Sequence, residues 1–239
     1  MTPTVGILKP GSTYADMILR FGDYDAWFTR ALGSRVRTRV HGPDTRLPDC
    51  DSADAWIITG ARGSVLEDDD RVDRLLEWVR GAVEEEVPLL GVCYGHQAVA
   101  SALGGRVERH PAGWELGTVE VELTEAGRSD PLFAGFPSRF MVQTTHEDQV
   151  VESPPRSTLL ARNDHSPFQS LAIGPACRTV QFHPEVDAPI ARDFVDRRAH
   201  LVERAPAVAE APLGGRVLAN FVRSFVPEAI PEHGPPSDA

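Results

Sequence analysis

Two short segments combine residue types that can carry out covalent chemistry. In residues 90–97, LGVCYGHQ, Cys93 follows an apolar run, with Gly91 and Gly95 two positions to either side. An apolar strand, a reactive residue and then a helix form an elbow. The tight turn lifts the nucleophile above the sheet end, and small neighbours let strand and helix pack closely. The helix points its positive N-terminal end at the cysteine and favours the thiolate, the attacking form. In residues 180–186, VQFHPEV, His183 and Glu185 stand two positions apart at the end of an expected strand. In extended chain, residues i and i+2 point to the same side. Glu185 can then hold the His183 imidazole in one orientation while the ring faces the thiol. Nucleophile, base and orienting carboxylate are the parts acyl transfer needs.

Each part alone has a plainer reading. A cysteine at a strand end is commonly a small buried hydrophobe, and a histidine near a glutamate is commonly a surface pair. Cys50 and Cys177 carry only that structural reading. Cys93 differs through its glycine setting and the two partners downstream.

These residues need elements to position them. Residues 5–8 read as a first buried strand, and residues 53–59 (ADAWIIT) as another that stops at Gly60. Residues 87–92 (VPLLGV) form a continuous apolar run, as expected of a central parallel strand buried on both faces. Residues 35–40 supply a further strand. Residues 23–32 read as a helix with Gly33 at its C-terminal cap. In residues 68–86, Val72, Leu75, Leu76, Val79 and Val83 recur at helical spacing behind three aspartates. Residues 97–103 give a short helix closed by Gly104 and Gly105. The order β-α-β-β-α-β-α implies an α/β fold: an open, mostly parallel twisted sheet with helices on both faces.

Beyond residue 117 the pattern shifts to short strands at 118–123, 139–143, 157–161, 169–173 and 177–182. The last two flank a Gly174-Pro175-Ala176 turn. Helical patterns return at about 191–202 and 217–225. Residues 1–226 are expected to form the domain, and the proline-rich residues 227–239 a flexible tail.

Composition narrows the classes. With 239 residues, 41% hydrophobic and 25% charged, the chain can build a core of ordinary size. Twenty-four Lys and Arg against 35 Asp and Glu give a net charge of −11. That balance repels phosphate backbones and anionic membrane surfaces, so nucleic acid and membrane are not expected partners. No run approaches the ~20 apolar residues of a membrane span, and the N-terminus has no signal-peptide pattern. Three scattered cysteines fit a reducing, cytoplasmic setting. Without CxxC or HExxH spacing, neither a metal site nor a cofactor is expected.

The motifs also carry a family resemblance. GVCYGHQ, QFHPEV and TGARGSV (residues 59–65) resemble the class I, or triad-type, glutamine amidotransferases. The resemblance runs from about residue 5 to 225, and the two motifs in this order, some 90 residues apart, are specific. Within the family, the chain looks most like stand-alone members similar to the GMP synthetase glutaminase domain and to plant γ-glutamyl peptidases; residues 21–24 (FGDY) share in this. The resemblance implies a flavodoxin-like open sheet and hydrolysis of the glutamine side-chain amide through a γ-glutamyl thioester. It assigns Cys93 as nucleophile, His183 as general base and acid, and Glu185 as orienting carboxylate. The oxyanion hole falls on the backbone N–H groups of Ala61 and Tyr94, such donors being worth about 3 kcal/mol each in comparable enzymes. The family often has Gly-Gly-Pro in the first of these loops; here Gly60, Ala61 and Arg62 stand there. The substrate-binding positions are Gly60, Gln97, Thr145, Glu147 and Asp148. His146 occupies a recurrent histidine position, with a structural hydrogen bond as its expected role.

The sequence contains no P-loop. Three readings follow: a glutaminase passing ammonia to a separate synthetase or acceptor protein, a γ-glutamyl hydrolase acting on a peptide or small conjugate, or a non-enzymatic regulatory subunit. The complete triad argues against the last.

Overall fold

The computed structural model describes residues 2–202 and 206–226; the tail expected at 227–239 lies outside them. In chain order the elements are β1 (Thr4–Leu8), α1 (Ala15–Phe21), α2 (Tyr24–Leu32), β2 (Arg37–His41), β3 (Ala55–Ile58), α3 (Asp70–Glu84), β4 (Leu89–Val92) and α4 (Tyr94–Ala102). Then come β5 (Arg106–Arg109), β6 (Glu115–Leu123), α5 (Glu125–Ser129), β7 (Arg139–His146), β8 (Asp148–Glu152), β9 (Ser157–Arg162), β10 (Ser170–Ile173), β11 (Cys177–Val180), α6 (Ala188–Arg198) and α7 (Gly214–Phe225).

The main sheet has the order β2-β1-β3-β4-β11-β10-β9-β6-β7. Pairings from β2 across to β11 are parallel, and those from β11 across to β7 are antiparallel. β5 and β8 form a separate antiparallel ribbon. The expected α/β sheet is present, and its parallel part carries the two motif-bearing strands side by side.

Strand alternation divides the side chains between two faces. Ile57, Leu90 and Val92 turn towards a core completed by Phe28 of α2 and by Val217, Leu218 and Phe221 of α7. Trp56, Ile58 and Leu89 turn the other way, onto Leu75 and Val79 of α3 and Ala98 and Val99 of α4. Each such fully buried aliphatic side chain contributes about 2 kcal/mol of transfer free energy before entropy is counted. A third, smaller cluster joins Met17 of α1, Tyr24 and Trp27 of α2, and Ile190, Ala191 and Phe194 of α6.

Several boundaries move for identifiable reasons. α2 begins at Tyr24 because the Asp23 carboxylate caps it, accepting from the Tyr24 N–H. α3 likewise begins after Asp69, whose carboxylate accepts from the Arg71 N–H. The helix expected at 97–103 starts at Tyr94, directly after Cys93. The one expected at about 191–202 is α6, beginning at Ala188 behind an Asp187 cap. α1, α5 and the β5/β8 ribbon have no counterpart in the sequence-based expectation.

Candidate active site

Cys93 is the first residue after β4, and its backbone is the hinge of the elbow. It has φ 52° and ψ −101°, a left-handed conformation that side-chain-bearing residues rarely adopt. Its N–H donates to Val180 O at 2.9 Å, and its carbonyl accepts from the Gln97 N–H at 3.1 Å. The turn therefore joins β11 to the first turn of α4. The flanking glycines are required by close approach. A Cβ on Gly95 would lie 2.3 Å from Ile58 O, and one on Gly91 would lie 2.6 Å from Gly95 O.

Val180 of β11 pairs with Val92 of β4, so the chain leaving β11 arrives beside Cys93. His183 and Glu185 follow within five residues. Both side chains are buried, and His183 Nδ1 lies 2.7 Å from Glu185 Oε1. The expected route to this contact needs correction. The pair does not lie on an extended strand: β11 ends at Val180, and Pro184 and Glu185 form a turn, with the Val186 N–H 3.5 Å from His183 O. Proline cannot continue the ladder and presets the turn, and the turn brings carboxylate to imidazole. The His183 N–H donates to Gln143 O at 2.8 Å, which ties the segment to β7.

His183 Nε2 is buried and has no partner of hydrogen-bonding geometry among the described residues. Burial lowers the pKa of the ring, but the charges of Glu185 and the neighbouring Cys93 outweigh it and raise it to about 10. The ring is thus favoured as an imidazolium beside a sulfur. Tyr24 stacks against it, with centroids 6.3 Å apart and planes 18° apart. Gly60 abuts the other contact surface: a Cβ there would meet His183 Cε1 at 2.7 Å. The other two thiols are held protonated. Burial pushes Cys177 up to about 12, and burial with nearby carboxylates pushes Cys50 up to about 11.

Cys93, His183, Ala61, Tyr94, Gln97, Thr145, Glu147 and Asp148 line one open pocket of about 220 Å³. Gly60 and Glu185 lie behind His183. Tyr94 opens α4, where N–H groups have no intrahelical acceptor, and Ala61 follows Gly60 in the loop after β3. Gln97 Nε2 donates to Asp148 O at 2.8 Å, while the Asp148 carboxylate accepts from the Ser64 hydroxyl. Arg109 reaches Glu147 at 3.3 Å. His146 lies between Glu115 Oε2 at 2.8 Å and Asp148 O at 3.0 Å, the structural role expected of it. Asn163 and Gln169 also donate to Glu115, so a polar network backs the 145–148 segment, with the buried Gln169 Oε1 as its one acceptor lacking a partner among the described residues.

The sequence gives no role to Tyr24 or to Arg198, the last residue of α6, yet both line the pocket. Arg198 is 7% exposed and donates to the Thr145 hydroxyl. An arginine in the last helical turn reads as a dipole-complementing surface residue, and only the packing of α6 carries it to the pocket. Among the described residues no group of histidine, cysteine and carboxylate side chains could hold a metal ion. Nor is any helix long and apolar enough to cross a membrane.

A sulfur in a strained elbow, a buried histidine–carboxylate pair and free N–H groups at a helix start define a site able to transfer an acyl group. A family model described as glutamine amidotransferase class-I matches residues 23–193, and the chain belongs to that family. It is 33% identical to a glutamine-hydrolyzing GMP synthase of Thermomicrobium roseum over 96% of this chain and 38% of that protein. It is 34% identical to one of the subunits of the glutamine-hydrolyzing GMP synthase of Pyrococcus abyssi, over 63% of this chain and 77% of that one. Against γ-glutamyl peptidase 5 of Arabidopsis thaliana the identity is 29%, over 66% of this chain and 63% of the relative. The chain spans under two fifths of the length of the full GMP synthase it matches over nearly its whole length. A crystal structure of a glutamine amidotransferase from Thermotoga maritima shares the fold, with TM-score 0.74, 19% identity and coverage of 95% of this chain and 99% of that one.

Proposed function

We propose that this protein hydrolyses a γ-glutamyl amide through a thioester on Cys93. The Cys93 sulfur attacks the amide carbon, His183 gives its Nε2 proton to the departing nitrogen, and Glu185 keeps the ring in the productive orientation. The N–H groups of Ala61 and Tyr94 receive the oxyanion. Water then attacks the thioester, loses its proton to His183 and releases glutamate. Gln97, Glu147 and Asp148 hold the glutamyl half, while Gly60, against the His183 ring, and Thr145, which accepts from Arg198, position the groups beside it. The observation that carries this reading is the buried His183–Glu185 pair at 2.7 Å beside a cysteine in a strained elbow.

With glutamine as substrate the product is ammonia, passed to a separate partner protein; the relatives named as glutamine-hydrolyzing GMP synthases support this. The γ-glutamyl peptidase relative, together with the cationic and aromatic residues at the pocket mouth, favours a second reading in which the leaving amine is an amino acid or peptide. A reducing, cytoplasmic setting accords with three free cysteines. The test is turnover of a γ-glutamyl substrate panel with mass spectrometry of the trapped protein. A glutamyl adduct on Cys93 is expected; turnover without any adduct on that residue refutes the reading.

A further inference from the structure

The pocket wall holds a buried cation that the hydrolytic steps above do not use. Arg198 is 7% exposed, and among the described residues no carboxylate lies within ion-pairing distance of its guanidinium. Its polar partner is the neutral Thr145 hydroxyl. Around it are rings: Trp114 at 4.5 Å, Phe194 at 5.0 Å and Tyr14 at 5.7 Å. Rings hold a guanidinium in place and strip its water without neutralising it. A buried charge left in that state is costly unless a ligand supplies the counter-charge. The planar fork of arginine matches a carboxylate with two parallel hydrogen bonds.

The pocket is electrically divided. On one flank stand Glu67, Glu147 and Asp148 with Gln97 and Ser64; Arg109 pairs with Glu147 there, and the three carboxylates leave the flank net acidic and suited to an ammonium group. On the other stand Arg198 and Arg62, the latter 4.0 Å above the Tyr14 ring. Tyr24, which lines the pocket with Arg198, stacks on His183, the ring that must deliver a proton to the leaving nitrogen. Arg198 and Tyr24 therefore line the same pocket as Cys93 and His183, through which the departing half of the substrate must pass.

We propose that Arg198 is a specificity-determining residue that binds the carboxylate of the leaving amine, so the preferred substrates are γ-glutamyl amino acids, whose carboxylate stands free next to the scissile amide. This rests on the γ-glutamyl reading above and selects its second form. The bond balance is that of amide hydrolysis. The Cys93 sulfur bonds to the glutamyl carbonyl carbon, the C–N bond breaks, and the nitrogen leaves with the His183 proton as an amino acid. Water then adds to the thioester, gives a proton to His183, frees glutamate and regenerates the Cys93 sulfur beside a protonated imidazole.

The experiment compares kcat/KM for γ-glutamyl-alanine, γ-glutamyl-alaninamide and glutamine in the natural protein, Arg198→Lys and Arg198→Met. A charge-assisted pair makes the free acid better than its amide by about 10–100-fold in the natural protein. Arg198→Met brings that ratio close to one, and Arg198→Lys leaves it between. Equal rates for acid and amide in the natural protein overturn the proposal. So does an equal loss on all three substrates in Arg198→Met, which places the cation on the glutamyl half instead. Should Arg198→Met fail to fold, the acid-to-amide ratio of the natural protein decides alone. A glutamine-like diazo-ketone separates the two levels of inference. Labelling of Cys93 without acid preference sinks the Arg198 proposal alone, whereas no labelling and no turnover of any substrate sinks the γ-glutamyl reading and this one with it.

Discussion

Gly60→Ala tests how tightly the His183 ring is held. The added Cβ would lie 2.7 Å from His183 Cε1 and 3.4 Å from Tyr24 Cε1. Carbon atoms rest at about 3.5–4.0 Å, so the ring or the loop must give by about 0.8 Å or more. The ring has little room to yield, because Glu185 holds Nδ1 at 2.7 Å and Tyr24 stacks along it. Gly60 does not have the positive φ that would make alanine strained in itself. The damage is therefore local overpacking, about 1–3 kcal/mol, which for a domain of this size lowers Tm by roughly 2–12 °C. Displacing a catalytic group by about 1 Å costs on the order of 100-fold in rate. The assay pairs kcat/KM on a γ-glutamyl amide with thermal unfolding. The expected result is a fold-competent protein with kcat/KM down about 100-fold. Activity near that of the natural protein, at any Tm, would refute the claim that His183 must occupy this position.

Other outcomes follow from the same geometry. The diazo-ketone analogue should modify Cys93 and spare Cys50 and Cys177, whose thiols are held protonated at pKa values of about 11 and 12; peptide mapping showing either of them labelled first would contradict the assignment. His183→Ala should lower turnover by about 10⁴-fold or more, and Glu185→Gln by less, since an amide oxygen still accepts from the ring; near-full activity in His183→Ala would end the triad reading. Because the His183 pKa is raised from 6.5 to about 10, its contribution to stability is complete below pH 6.5 and is lost as the pH rises through about 10. Glu185→Gln should thus unfold at a lower temperature than the natural protein in neutral solution, with the gap narrowing towards pH 10; a gap independent of pH would rule out the ionic component. Gly95→Ala, whose Cβ would meet Ile58 O at 2.3 Å, should cost about 3 kcal/mol or more by urea denaturation, and an unchanged midpoint would mean the elbow is looser than described.

The two motifs were readable because their chemistry is local. Cys93 with its glycines, and His183 with Glu185, each lie within a few residues, and the apolar runs beside them announce β3, β4 and β11. The detail of the second motif was not readable, since strand alternation and a Pro184 turn both bring His183 to Glu185, and packing selects the turn. α1 escaped notice because its sequence, ADMILRF, buries Met17 while Ile18 and Leu19 face outward, so no apolar stripe marks it. β5 and β8 were hidden because their pairing spans some forty residues and only Val107 and Val150 mark the buried side. Arg198 gives no local signal: its meaning depends on which way α6 lies across the sheet end.

The core in three parts carries a further consequence. Cys93 belongs to the cluster on one sheet face, Tyr94 to the cluster on the other, and Tyr24 to the small cluster shared by α1, α2 and α6. Within that third cluster α1 and α6 are joined to each other by the Arg197–Asp16 and Arg20–Asp193 ion pairs rather than by a ladder of strands. Pairs of that kind are weak in water and weaken further with salt. Cooperative units with few buried contacts open before the global transition. Amide protons of α1 and α6 should then exchange with solvent sooner than those of β3 and β4, and sooner still at high ionic strength. Such exchange leaves the strand ends beneath, and the elbow they carry, in register.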